Sequence, residues 1–105
     1  MTSATFNNLS GGVVNLNATD VNGTFYNLSG TSVVNNLLGG VINKTAPGNT
    51  NINQSGSLTS FSNAGTVNVN AGTLTVNVAG TDSGSYALGA NTLNFSAART
   101  FNSGT

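Results

Sequence analysis

The side chains that could carry acid–base chemistry are few in this chain: Asp20, Asp82, Lys44 and Arg99. Paired carboxylates act as general acid and base in glycoside hydrolysis, where they stand roughly 5–9.5 Å apart. The repeat described below separates Asp20 from Asp82 by about three coils, hence roughly 15 Å along the stacking direction. We therefore predict that these two carboxylates do not form a catalytic pair.

The absence of other reactive residue types points the same way. The sequence contains no histidine and no cysteine, which are the usual general bases and thiol nucleophiles. Asp82 precedes Ser83 and Gly84, so we predict that it closes a turn, and we predict that Lys44 and Arg99 lie on solvated faces. The chain is therefore predicted not to be an enzyme, and to hold no cofactor and no metal ion.

Charge and hydrophobicity argue against a nucleic-acid partner and a membrane span. The formal net charge is zero, and two isolated cations could release few counterions from a nucleic acid. No apolar stretch approaches the roughly 20 residues that span a bilayer. Residues 1–5 lack the basic and apolar regions of a secretion signal. We expect no nucleic-acid partner, no membrane span and no signal within this chain.

A strict alternation of aliphatic and polar residues runs from Thr66 to Val78, and this period is typical of strands that are buried on one side. It predicts one set of side chains in the core: Val67, Val69, Leu74, Val76 and Val78. It predicts a second set on an outward polar face: Thr66, Asn68, Thr73, Thr75 and Asn77. The sequence therefore predicts β structure with a narrow apolar core.

Shorter phrases repeat along the chain. The segment 5–11 returns as 24–30, and Val13-Val14-Asn15 returns as Val33-Val34-Asn35, in each case about 20 residues later. Stacked copies would place Phe6 over Phe25, and Phe61 starts a looser copy, so these three aromatic residues complete the predicted core ladder. The sequence predicts a single all-β domain over 1–105, a parallel β-helix (β-solenoid) of about five coils with roughly 20 residues per coil. Residues 43–57, which contain the only proline, are predicted to form a loop-like interruption.

We call the alternating segment 66–78 the central phrase. An antiparallel hairpin that turns at Ala71-Gly72 would also bring its apolar residues opposite one another. Tight hairpins favour Asn-Gly or Asp-Gly at the turn, and the repeat favours stacked coils. Alternation predicts strands near 4–9, 12–17, 23–28, 31–37, 58–62, 66–70, 73–78, 85–88, 92–96 and 99–102.

The segment Asn63-Ala64-Gly65-Thr66-Val67-Asn68-Val69-Asn70-Ala71-Gly72-Thr73-Leu74-Thr75-Val76 resembles the repeats of bacterial autotransporter passengers and filamentous-haemagglutinin-like exoproteins. The resemblance extends over 56–105 and, more loosely, over 4–42. It implies a secreted, right-handed β-helix that is displayed on the bacterial cell surface as a stalk or adhesin. It transfers no catalytic residue.

Two functions follow as hypotheses. The first is a structural or adhesive segment of an extracellular cell-surface protein, a stiff rod that meets host or matrix glycans or proteins. The alternative is a self-assembling subunit that stacks end to end into a β-filament, such as a functional amyloid or matrix fibre. The chain would then be a fragment of a longer rod or a polymerising unit. A soluble ice-binding or glycan-binding module is a third hypothesis.

Overall fold

The computed structural model describes residues 5–17, 32–53 and 58–102. This part of the chain contains strands and no helix. The strands are β1 (Thr5–Asn8), β2 (Val13–Leu16), β3 (Val33–Asn36), β4 (Val41–Lys44), β5 (Asn49–Asn51), β6 (Ser60–Asn63), β7 (Thr66–Val69), β8 (Thr73–Val76), β9 (Gly80–Asp82), β10 (Ser85–Ala87), β11 (Thr92–Phe95) and β12 (Arg99–Phe101). The fold of the described residues is all-β, as the sequence predicts.

The strands form three sheets, and every strand pair in them is parallel. The first sheet has the order β1-β3-β6-β9-β12, the second β10-β7-β4-β2 and the third β11-β8-β5. The chain visits the first, second and third sheet in turn and then returns to the first. We call one such passage a layer: β3-β4-β5, β6-β7-β8 and β9-β10-β11 are successive layers. This path is compatible with a β-solenoid.

The hairpin alternative is wrong. β7 and β8 lie in different sheets, and each pairs in parallel with strands of the layers before and after it. The bend between them contains Gly72, whose positive φ of 63° is accessible to glycine at little cost. The two alternating halves of the central phrase therefore form β7 in the second sheet and β8 in the third sheet of the same layer.

The register differs from the spacing that the sequence repeats predict. Asn8 meets Asn36 after 28 residues and Asn36 meets Asn63 after 27, whereas Ser62 and Thr81 are separated by 19. The second half therefore follows a spacing close to the prediction, and the first half does not.

The predicted return of Val13 at Val33 is wrong, because Val13 pairs with Val41 and Val33 pairs with Thr5. Matching turns explain this register. The Gly11 amide donates to the Gly39 carbonyl at 3.0 Å, which aligns the turn after β1 with the turn after β3. The predicted partner segment 24–30 lies outside the described residues.

The core lies between the three sheets. Its buried cluster comprises Leu16, Val34, Ile42, Ile52, Leu58, Phe61, Val67, Val69, Leu74, Val76 and Val78. Corners between sheets pack backbone on backbone, so a Cβ on Gly65 would stand 2.3 Å from the Gly40 carbonyl oxygen. The segment 43–57 contains β5, which is part of the third sheet, and its residues 54–57 are outside the described part.

Candidate functional site

The predicted core ladder divides between buried and exposed positions. Phe61, Val67, Val69, Leu74, Val76 and Val78 are buried in the core. Phe6 differs from the expectation, because 42% of its surface is exposed. It lies on β1, the first strand of its sheet, and its partner in register is Val34. Phe25 lies outside the described residues.

Four of the five predicted outward polar residues lie at the surface, on or next to β7 and β8. Thr66, Asn68, Thr73 and Asn77 are partly exposed. Thr75 differs, since only 9% of its surface is exposed. It lies in register between Asn51 and Asn94, and its hydroxyl donates to Oδ1 of Asn49 at 2.6 Å. Neighbouring layers therefore cover it.

Asparagine side chains on the outer faces form hydrogen-bonded rows. In the second sheet Asn43 donates to Asn15 at 3.1 Å, and Asn68 donates to Asn43 at 2.9 Å. We call these three residues the outer amide row. A shorter row on the first sheet joins Asn35 to Asn7 at 3.0 Å. Each amide has two N–H donors and a carbonyl acceptor, so a row can offer further hydrogen bonds to a partner.

A second set of asparagines forms a row inside the fold, at the last position of strands in the first sheet. Asn8 donates to Asn36, and Asn36 donates to Asn63, each at 2.9 Å. The three side chains are almost completely buried. They also donate to corner carbonyls, such as that of Gly12 for Asn8 and that of Gly40 for Asn36. We call them the inner amide row, and the sequence predictions missed it.

Asp82 follows the inner amide row, since it is the partner of Asn63 in register. Its carboxylate forms a bidentate ion pair with Arg99: Nη2 of Arg99 donates to Oδ1 at 2.6 Å, and Nε donates to Oδ2 at 3.0 Å. The Tyr86 hydroxyl donates to Oδ1 at 2.6 Å. Burial, and then the bond to Asp82, raises the pKa of the Tyr86 hydroxyl above its ordinary value of 10.0.

The guanidinium of Arg99 lies between aromatic rings. Its central carbon is 5.7 Å from the ring centroids of both Phe61 and Phe95. Nη1 donates to the Val78 carbonyl at 2.9 Å. Only 2% of the Arg99 side chain and none of the Asp82 side chain is exposed. This is the geometry of a desolvated cation–π and ion-pair cluster.

Two predictions about charged residues are therefore wrong. Arg99 is buried with Asp82, and Lys44 is also fully buried, with its Nζ donating to the Ala46 carbonyl. Burial lowers the pKa of the Lys44 ammonium below its ordinary value of 10.5. Both side chains start from strands at inward positions, which alternation alone did not distinguish from outward ones. Within 5–17, 32–53 and 58–102, no charged side chain lies on the outer surface.

The described side chains of these rows and of the Asp82 cluster offer hydrogen bonding and packing. Among the described residues there is no group of three or more His, Cys, Asp or Glu side chains that could hold a metal ion. The same part of the chain has no helix with the length and hydrophobicity needed to cross a membrane. Comparisons with family models, with curated proteins and with solved structures found no match to this chain.

Proposed function

We propose that this chain is a β-solenoid segment of a secreted bacterial cell-surface protein, a stiff rod whose uncharged outer faces contact neutral partners. The observation that carries the proposal is the distribution of charge. The three charged side chains in the described part are buried, while amides and hydroxyls occupy the outer faces. We propose right-handed winding and about five coils, with nineteen residues per coil in the second half and longer coils in the first.

Stiffness follows from the stacking. Each layer contacts the next through main-chain hydrogen bonds of three sheets, and asparagine rows add side-chain bonds both inside and outside. Side-chain ladders of this kind stabilise stacks of parallel strands. We propose that this continuous stacking of layers makes the segment a stiff rod. We propose no catalytic residue, since Asp82 is buried and bound to Arg99.

The chemistry of the outer faces indicates the class of partner. The outer faces of the described residues carry no charged side chain, so binding there depends on short-range hydrogen bonds and packing and not on long-range steering or counterion release. Neutral glycans and uncharged protein surfaces provide such contacts. We propose that the outer amide row of Asn15, Asn43 and Asn68 forms part of the contact surface.

A glycan array tests this proposal. The chain is compared with a variant that carries Asn15→Ala, Asn43→Ala and Asn68→Ala, and with a matched control that carries Asn7→Ala and Asn35→Ala. We expect binding to neutral glycans that the first variant loses and the control retains. Binding confined to acidic glycans, or equal binding by both variants, would contradict the assignment.

A second candidate function is a subunit of an extracellular filament, and exposed aromatic residues on the outermost strands favour it. Phe6 is 42% exposed on β1 and Phe101 is 54% exposed on β12, and within the described residues these two strands are the first and last of the first sheet. Exposed apolar side chains at the end of a sheet promote addition of further chains. Electron microscopy and sedimentation over a concentration series test this function. Filaments above a critical concentration, abolished by Phe101→Lys and kept by Thr100→Lys, would support it, whereas monomers throughout would contradict it.

A further inference from the structure

At the position that follows the inner amide row, a carboxylate, Asp82, takes the place of an asparagine amide. Asn8, Asn36 and Asn63 can each donate and accept, so every one of them can bond to the same residue in the next layer. An ionised carboxylate only accepts hydrogen bonds, and it needs a cation when it is buried. The layer that contains Asp82 therefore has requirements that the earlier layers do not have.

The groups around Asp82 come from three strands. Tyr86 approaches from β10 of the same layer, Asn63 lies in register on β6, and Arg99 approaches from β12. Tyr86 and Asn63 are neutral, so Arg99 is the one charged group in the described part that faces this carboxylate. The cation reaches Asp82 only when β12 pairs with β9.

The space that receives the guanidinium is built into the layer. Gly80 is the partner of Arg99 in register, and a Cβ at Gly80 would stand 2.8 Å from Nη1 of Arg99 and 1.8 Å from the Phe61 carbonyl oxygen. The rings of Phe61 and Phe95 and the carbonyl of Val78 complete the enclosure. Four residues of the preceding layers, together with Asp82, thus surround one arginine side chain.

We propose that the edge of β9 is a strand-selective binding site, which accepts a strand that brings a guanidinium to Asp82 and rejects a neutral strand. A neutral strand that paired with β9 would leave the buried Asp82 carboxylate without a cation. If an asparagine stood at this position, the same neutral strand could pair without that cost. In this chain β12 is the accepted strand, and the site fixes its register, because only Arg99 can pair with Asp82. This inference does not depend on the proposed function.

Binding of peptides to the full chain tests the site. In Arg99→Gln the chain's own β12 lacks the cation, so a labelled peptide with the sequence of residues 97–105 can replace it. We expect this peptide to bind at least about 30-fold more tightly than the same peptide with glutamine in place of arginine. The chain with both Asp82→Asn and Arg99→Gln is the matched control, and we expect it to lose this preference. Equal affinity of the two peptides for Arg99→Gln, or an unchanged preference in the control, would overturn the proposal.

Hydrogen exchange provides a second measurement within the full chain. The Asn102 amide donates to the Asp82 carbonyl at 2.8 Å and reports on β12, while the Asn70 amide donates to the Lys44 carbonyl at 2.9 Å and reports on the interior layers. We expect each single variant, Asp82→Asn or Arg99→Gln, to lower protection at Asn102 at least about tenfold more than at Asn70.

The variant with both substitutions decides the outcome of this measurement. We expect it to regain most of the lost protection at Asn102, because neither unpaired charge remains buried. If Arg99→Gln does not fold, a folded double variant supports the site and an unfolded one overturns it. The proposal would also be overturned if the loss of protection at Asn102 in the double variant equalled the sum of the losses in the two single variants.

Discussion

Asn36 donates its side-chain amide to Oδ1 of Asn63 at 2.9 Å, and both side chains are fully buried. The two residues belong to neighbouring strands of the first sheet, 27 residues apart in sequence. A buried amide is costly unless it is hydrogen-bonded, so this contact ties the register of one layer to that of the next. The inner amide row thus contributes to specificity as well as to stability.

Asn36→Ala tests the inner amide row. The substitution removes the partner of Asn8 Nδ2 and of Asn63 Oδ1, and two buried polar groups lose a bond. We expect the free energy of unfolding to fall by about 3 kcal/mol, measured by chemical denaturation. The control is Asn35→Ala, which removes an outward side chain from the same strand and should cost no more than about 1 kcal/mol. Equal losses in the two variants would show that burial of the row is unimportant.

Thr50→Val tests a buried hydroxyl in β5. Oγ1 of Thr50 has no hydrogen-bond partner among the described residues, so its replacement by a methyl group of similar size should stabilise the fold by roughly 1 kcal/mol. Thr75→Val is the matched control, because it removes a bond to Asn49 and should destabilise by about 1 kcal/mol. Thermal and denaturant unfolding of both variants check the expected opposite signs, and destabilisation by Thr50→Val would contradict the described burial.

Gly65→Ala tests the close approach of the corners. The added Cβ would stand 2.3 Å from the Gly40 carbonyl oxygen and 2.6 Å from that of Leu37. We expect a loss of about 3 kcal/mol or failure to fold, since backbone atoms of the neighbouring corner between β3 and β4 must move. Gly11→Ala meets no atom within 4 Å, and its φ of 83° should cost only about 1 kcal/mol. A tolerated Gly65→Ala would mean that these layers are further apart.

Tyr86→Phe tests the environment of the buried hydroxyl. Because the pKa of Tyr86 is raised above 10.0 in the folded chain, its contribution to stability is complete below pH 10. It is lost as the pH rises above 10, where the hydroxyl ionises in the unfolded chain first. We expect the wild type to lose stability above pH 10 more steeply than Tyr86→Phe.

The comparison of these two chains at each pH isolates Tyr86. Lys44, whose pKa is lowered, acts in the opposite direction by adding stability as the pH rises towards 10.5, and it is present in both chains. Parallel profiles of stability against pH for the two chains would contradict the raised pKa.

The sequence predicted the architecture better than the register. Val67 and Leu74, which alternation in the central phrase assigns to the core, are buried, and the described residues form strands and no helix. A spacing near twenty was inferred from 5–11 and 24–30, whereas the structure pairs 5–8 with 33–36. A stronger signal was present, since Asn-Asn-Leu-x-Gly-Gly-Val-x-Asn occurs at both 7–15 and 35–43. It marks two identical corners.

Three strands and the buried charges escaped the sequence predictions. The predicted strands omitted β4, β5 and β9. β5 and β9 have three residues each and are rich in polar residues, so neighbouring layers decide their conformation. Asp82 was predicted to close a turn and Arg99 to lie on a solvated face. Their ion pair was missed because it depends on the register of β12 with β9. The alternation within a single strand does not encode which strand of another layer it meets.

The most direct test of the proposed function is the salt dependence of binding to neutral surfaces. Retention of the chain is measured on columns of immobilised neutral polysaccharides and, for reference, of an acidic polysaccharide. The salt concentration runs from about 0.01 M to about 1 M, over which the screening length falls from about 30 Å to about 3 Å. We expect retention on at least one neutral column at an elution volume that salt does not change. Retention confined to the acidic column, and lost as salt is added, would contradict an uncharged contact surface.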